Sequence, residues 1–227
     1  MTSPYTQTKT TLLNFPHVFL SLPTSPAPLH ISQKSSNTTI SSLSLHPALE
    51  STLHLLNNDL PSAHFLLRHA QSAPAYECMY LHGILHRIEG DVDNARCWYD
   101  DVMGSEVLEG VWGKSGGRKA AEERREKGRG TGTEWEAFLD RVARWRDHVA
   151  GRMKGGEKRE IDWETEEREL REKSLWEMKR VLEFVERKFG TDEVGVAEAK
   201  AVWVQPDKEH GDKANAMIVG GEGWREF

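Results

Sequence analysis

From His46 onward the apolar positions fall into short helical runs. Leu49, Leu53 and Leu56 recur at steps of three and four, and Ala63, Leu66 and Leu67 follow after a break at Asn57-Asn58-Asp59. This spacing predicts two short helices, with Pro61 suited to the first turn of the second, where its missing N–H costs no hydrogen bond. A second pair follows: Tyr76 to Glu89, then Asp93 to about Met103, parted by Gly90-Asp91, with Asp91 placed to cap the later helix. A shift of 32 residues lays Leu49 on Leu81, Leu53 on Leu85, His54 on His86, Leu56 on Ile88, Asp59 on Asp91 and Ala63 on Ala95. Self-similarity near this period is the mark of stacked helix–turn–helix units.

Outside residues 46–103 the pattern changes. Residues 1–45 are rich in Ser and Thr and carry Pro4, Pro16, Pro23, Pro26 and Pro28, which reads as an irregular or disordered arm. Its apolar piece from Phe15 to Leu22 is suited to lie on the core as an extended segment. Residues 104–133 read as a breakpoint, and 114–133 as a flexible charged linker without an apolar face. Glu134 to Met153 is amphipathic through Trp135, Phe138, Leu139, Val142, Trp145 and Val149. Trp163 to Phe189 predicts a long helix ended by Gly190; its second half is apolar at Leu175, Met178, Val181, Leu182 and Val185, while Glu164 to Lys173 is expected to project into solvent. The tail, 190–227, holds the short apolar pieces Val202-Trp-Val204 and Met217-Ile-Val219, readable as edge strands or as a segment laid over the helices.

The segment from Tyr76 to Met103 resembles a tetratricopeptide repeat: Gly83 where two helices approach, Gly90-Asp91 at the turn, Ala95 small against the first helix, and Tyr99 as the packing aromatic. The first unit fits more loosely, with Ser51 in place of that first glycine. The run His82 to Tyr99 also resembles an uncharacterised family of small helical proteins with an HGxxHRxEGDxxNAxxWY core, a resemblance that implies no activity. Such repeats need roughly three or more units to bury a stable core. The expected architecture is therefore all-α: two tetratricopeptide-like hairpins packed with two longer C-terminal helices, 134–153 and 163–189, that cap the stack within one domain spanning 46–189.

Composition narrows the function classes. The chain has 227 residues, is 37% hydrophobic and 29% charged, and carries a net charge of −6. With a pI near 5.9, its surface is not that of a nucleic-acid-binding domain. No apolar run approaches the roughly 20 residues that span a bilayer. The N-terminus has neither a secretory signal pattern nor the arginines of a mitochondrial presequence. Cys78 and Cys97 form no CxxC and read as reduced packing residues, so the expected location is cytoplasmic, with the nucleus as an alternative. Gly113-Lys114-Ser115 has the end of a phosphate loop but Leu108 where that loop needs glycine, which excludes a nucleotide site there.

The chemistry concentrates in the repeats, which hold six of the ten histidines. His82 and His86 share a helix face one turn apart. His54 is the repeat equivalent of His86, so stacking brings it toward them on this reading, and Glu89 adds a carboxylate one turn on. His54, His82, His86 and Glu89 make a candidate first shell for zinc or another divalent metal. The HxxxH spacing alone is weak, because the zinc-hydrolase form needs Glu where Gly83 stands. Packing or hydrogen-bonded imidazoles would also explain these positions. His64, on the intervening helix, joins Arg87, Asp91 and Asn94 as a candidate polar or ligand site, with capping and ion pairing as the plainer role of the last three. The leading expectation is a non-catalytic helical-repeat module that binds a protein partner and needs no cofactor. The alternative is a metal-binding protein, or a metal-dependent enzyme, built on the histidine cluster.

Overall fold

A computed structural model describes residues 2–15, 20, 40–114, 123, 132–152 and 161–195. Within them the chain is all-helical, with eight helices and no strand. These are α1 (Pro4–Leu13), α2 (Pro47–Leu56), α3 (Leu60–Leu67), α4 (Tyr76–Glu89), α5 (Val92–Asp101), α6 (Glu106–Trp112), α7 (Glu134–Val149) and α8 (Trp163–Phe189).

The two hairpins, α2–α3 and α4–α5, turn in the same way. At each turn an aspartate backbone N–H donates to a histidine carbonyl five residues earlier, Asp59 to His54 and Asp91 to His86, both at 2.9 Å. Each aspartate then caps the next helix: Asp59 Oδ1 accepts from Ser62 N at 3.2 Å, and Asp91 Oδ1 from Asn94 N at 3.1 Å. The residue before each cap is left-handed, Asn58 at φ 59° and Gly90 at φ 98°. Equivalent apolar positions point inward. Leu49, Leu53, Leu56, Leu81, Leu85 and Ile88 are all fully buried, and each contributes about 1.5–3 kcal/mol relative to exposure.

Gly83 is what lets α4 and α5 close. A Cβ there would lie 2.8 Å from the Tyr99 ring and 3.0 Å from Trp98 Cβ, too near for any real side chain. Behind this hairpin α8 packs along α2, α6 and α7. Side chains on α8 also reach α4 and α5. Arg87 Nη2 meets Glu177 Oε2 at 2.6 Å, with both side chains fully buried, and Arg87 Nη1 donates to Ser174 Oγ at 3.0 Å. The other oxygen of Glu177 accepts from the hydroxyls of Tyr80 and Tyr99 and from Trp112 Nε1. Lys188 pairs with Glu77 at 2.7 Å, and Phe189 stacks on His46 with ring centroids 3.6 Å apart. One continuous apolar core thus joins the hairpins to α6, α7 and α8, and Trp135 and Trp145 belong to it.

Several expectations need correction. The N-terminal arm does not begin as irregular chain: α1 is capped by Ser3, whose hydroxyl accepts from Thr6 N, and it has Pro4 in its first turn. Burial of Tyr5 and Leu12, with Tyr5 and Lys9 both bonded to Glu186 on α8, overrides the weak helix propensity of a Thr-rich segment. The breakpoint after Met103 contains α6, capped by Ser105 and buried through Val107, Leu108 and Val111. The first half of α8 does not simply project into solvent. Leu170 is fully buried, and Arg141 on α7 bridges Glu166 and Glu169 at 2.8 and 2.7 Å. Cys97 is exposed rather than packed; Cys78 is buried. Most of the 114–133 linker, most of the apolar arm segment 15–22, and the tail pieces 202–204 and 217–219 lie outside the described residues.

Candidate metal centre

Stacking the hairpins packs α3 against both α2 and α4, which also touch each other. His64 on α3 consequently faces the first helix of the second unit, where His82 and His86 share one side. The His64 and His82 rings meet edge to face with centroids 5.0 Å apart. His64 and His86 stand at 5.9 Å, and His82 and His86 stack at 4.8 Å with an interplanar angle of 15°. One nitrogen from each of the three rings lies within 4.8 Å of the other two. Two nitrogens on a tetrahedral zinc stand about 3.3–3.4 Å apart, given bonds of about 2.0–2.1 Å. A bound ion would have to draw the nitrogens together by up to about 1.4 Å.

His82 is the decisive member. Its residue is 2% exposed, and neither ring nitrogen has a hydrogen-bond partner among the described residues. A buried polar group left so costs about 1–3 kcal/mol, which only a ligand or bound water would recover. Burial, reinforced by the neighbouring His86 and His64, pushes the His82 pKa down to about 3. His64 is lowered too: burial outweighs the opposing charge of Glu89, and His86 and Arg68 add to it. Both imidazoles are thereby neutral at physiological pH, the form that binds metal. His82 also stacks on Trp98, with centroids 4.5 Å apart, which fixes its ring. Glu89 Oε2 lies 3.0 Å from His86 Nδ1, orienting that ring and leaving Nε2 as its outward nitrogen.

The remaining expected site residues go elsewhere. His54 does not join this group. Its Nδ1 lies 3.3 Å from Asp59 Oδ2 and its Nε2 lies 3.7 Å from Glu50 Oε1, so its own turn holds it. Repeat-equivalent residues on packed helices are separated by the interaxial distance of about 8–10 Å. It is the intervening helix that reaches across that gap. Glu89 supports His86 rather than standing among the clustered nitrogens. Arg87 is fully buried and committed to Glu177 and Ser174, which leaves no guanidinium face for a ligand. Asp91 caps α5 at the hairpin turn, and Asn94 supplies the backbone N–H it accepts.

Glu177 and Ser174, which hold the second hairpin to α8, were missed in the sequence. Their only signal is a glutamate and a serine flanking Leu175 and Met178 at helical spacing, where an apolar stripe would continue. Compared with known proteins, the chain matches no family model, no curated protein and no solved structure.

Proposed function

We propose that this is a metal-binding helical protein that holds one divalent transition-metal ion through His64, His82 and His86. The observation that carries the reading is His82: a buried, neutral imidazole with both nitrogens unpaired, in a cluster whose nitrogens lie within 4.8 Å of one another. An all-imidazole donor set suits zinc, copper, nickel or cobalt and is a poor host for calcium or magnesium, which require oxygen. The carboxylate of Glu89 behind His86 raises the basicity of that ligand.

A protein partner bound beside the hairpins has less support. α8 covers the side on which α2 and α4 meet it, through Lys188, Glu177 and Phe189. Among the described residues the large exposed apolar side chains are Phe65, Tyr76 and Val149, singly placed on different helices. No helix among these residues is long and apolar enough to cross a membrane. Two unpaired cysteines fit a reducing cytoplasmic or nuclear setting.

Elemental analysis of the full chain, produced without a polyhistidine tag, tests the reading. The expected result is one equivalent of a transition metal, retained on dialysis and absent from His64→Ala and His86→Ala variants with unchanged helicity. A metal-free wild-type chain that takes up no zinc on reconstitution refutes it.

A further inference from the structure

The three imidazoles are not equally enclosed. His82 forms the floor of the cluster at 2% exposure, while His64 is half-buried and the His86 side chain is 14% exposed, so the group opens toward solvent on the side of His64 and His86. The nearest carboxylate on α4, Glu89, lies behind His86 on Nδ1. Zinc sites closed by four protein donors serve structure; those with three protein donors leave a position for an exogenous ligand.

We propose that a metal held by His64, His82 and His86 keeps a solvent-facing coordination position that takes a small monodentate anion. This rests on the metal-binding reading above. The attraction for an anion comes from the metal itself. A divalent ion beside neutral imidazoles brings two positive charges. Arg68, the exposed C-cap of α3 one turn beyond His64, acts on that imidazole electrostatically. Glu89 opposes it and acts on His64 more strongly than Arg68 does, but its carboxylate is shared with His86. Trp98 stacks on His82 and shields the floor, so an incoming ligand approaches over the rim formed by α3 and α4.

Cobalt(II) makes both layers of the inference visible. The full chain is loaded with cobalt and its visible d–d bands are recorded before and during titration with sodium azide. The expected result is a saturable change in band position and intensity with azide, absent from a His64→Gln variant that melts like the wild type. A cobalt spectrum that azide leaves unchanged overturns the open position and leaves metal binding standing. A cobalt spectrum no different from that of the free aqueous ion overturns the metal reading itself, and the open position with it.

Discussion

His64 and His82 face each other across the junction of the two hairpins, one on α3 and the other on α4, with ring centroids 5.0 Å apart. A metal bonded to both ties one repeat to the next. Binding to the native state alone stabilises it by about 2.7 kcal/mol when free metal stands at 100 times Kd. Thermal melting followed by circular dichroism should therefore move to higher temperature with added zinc and return on chelation. His64→Ala should abolish that shift while barely changing the metal-free melt. An identical melt with and without zinc counts against the bridge.

The second prediction concerns the buried knot around Glu177. Its carboxylate faces Arg87 on one oxygen and accepts from Tyr80, Tyr99 and Trp112 on the other, and Arg87, Tyr80, Tyr99 and Glu177 are all buried. Glu177→Ala leaves a buried guanidinium and the Tyr80 and Tyr99 hydroxyls without their carboxylate, while Trp112 Nε1 keeps its 2.7 Å bond to the Tyr80 hydroxyl, at a cost of about 3–5 kcal/mol. A volume-conserving Arg87→Met, Glu177→Leu double variant removes both charges and should be less destabilised than Glu177→Ala. Urea unfolding of the two proteins measures the difference. A Glu177→Ala midpoint equal to the wild type would show that the knot contributes nothing.

Gly83→Ala is the third. Its new methyl would collide with the Tyr99 ring at 2.8 Å and Trp98 Cβ at 3.0 Å; Trp98 Cβ is fixed to the backbone, and the buried Tyr99 ring is held by its hydroxyl bond to Glu177. Overpacking of this kind costs about 1–3 kcal/mol. Because Trp98 also stacks on His82, the same substitution should weaken metal uptake, read as a lower zinc affinity by calorimetry. Unchanged stability and unchanged affinity together would contradict the close approach.

Much of this architecture is visible in the sequence because local rules and tertiary packing agree there. Asp59 and Asp91, the left-handed positions 58 and 90, and the leucines at helical spacing all specify the same hairpin twice. The agreement ends where distant segments decide the outcome. α1 forms in a Thr-rich stretch because Glu186, far along the chain, receives Tyr5 and Lys9. The histidine cluster was only half legible. The i,i+4 spacing gives His82 and His86, but repeat equivalence points to His54, whereas helix packing delivers His64. A one-dimensional repeat says which residues are alike, not which of them meet. The role of Arg87 was hidden in the same way, since its partner Glu177 is supplied by α8.

The last prediction separates half-buried His46 from buried His54 by sign. His46 Nδ1 accepts from Ala48 N at 3.2 Å as the N-cap of α2, a role only the unprotonated nitrogen can fill. Burial, with the nearby Lys188 charge added, pushes its pKa down to about 4. The unfolded chain therefore takes up a proton near 6.5 that the folded protein refuses, so His46 favours folding above about pH 6.5 and loses that contribution as the pH falls toward 4. His54 runs the other way. Burial alone would lower it, but the carboxylates of Asp59 and Glu50, at 3.3 and 3.7 Å, outweigh burial and raise its pKa. Its contribution is complete below 6.5 and disappears as the pH rises through the folded value. Asp59 is correspondingly lowered: its bonds to His54 and Ser62 overcome burial, and its contribution is lost only as the pH falls through that lowered value. Ring resonances followed by NMR on the metal-free protein should show His54 still charged at a pH where His46 is neutral. In His54→Gln the loss of stability relative to wild type should be larger at pH 6 than at pH 8. A His54 that titrates below His46 would mean that burial, and not the two carboxylates, governs the first hairpin turn.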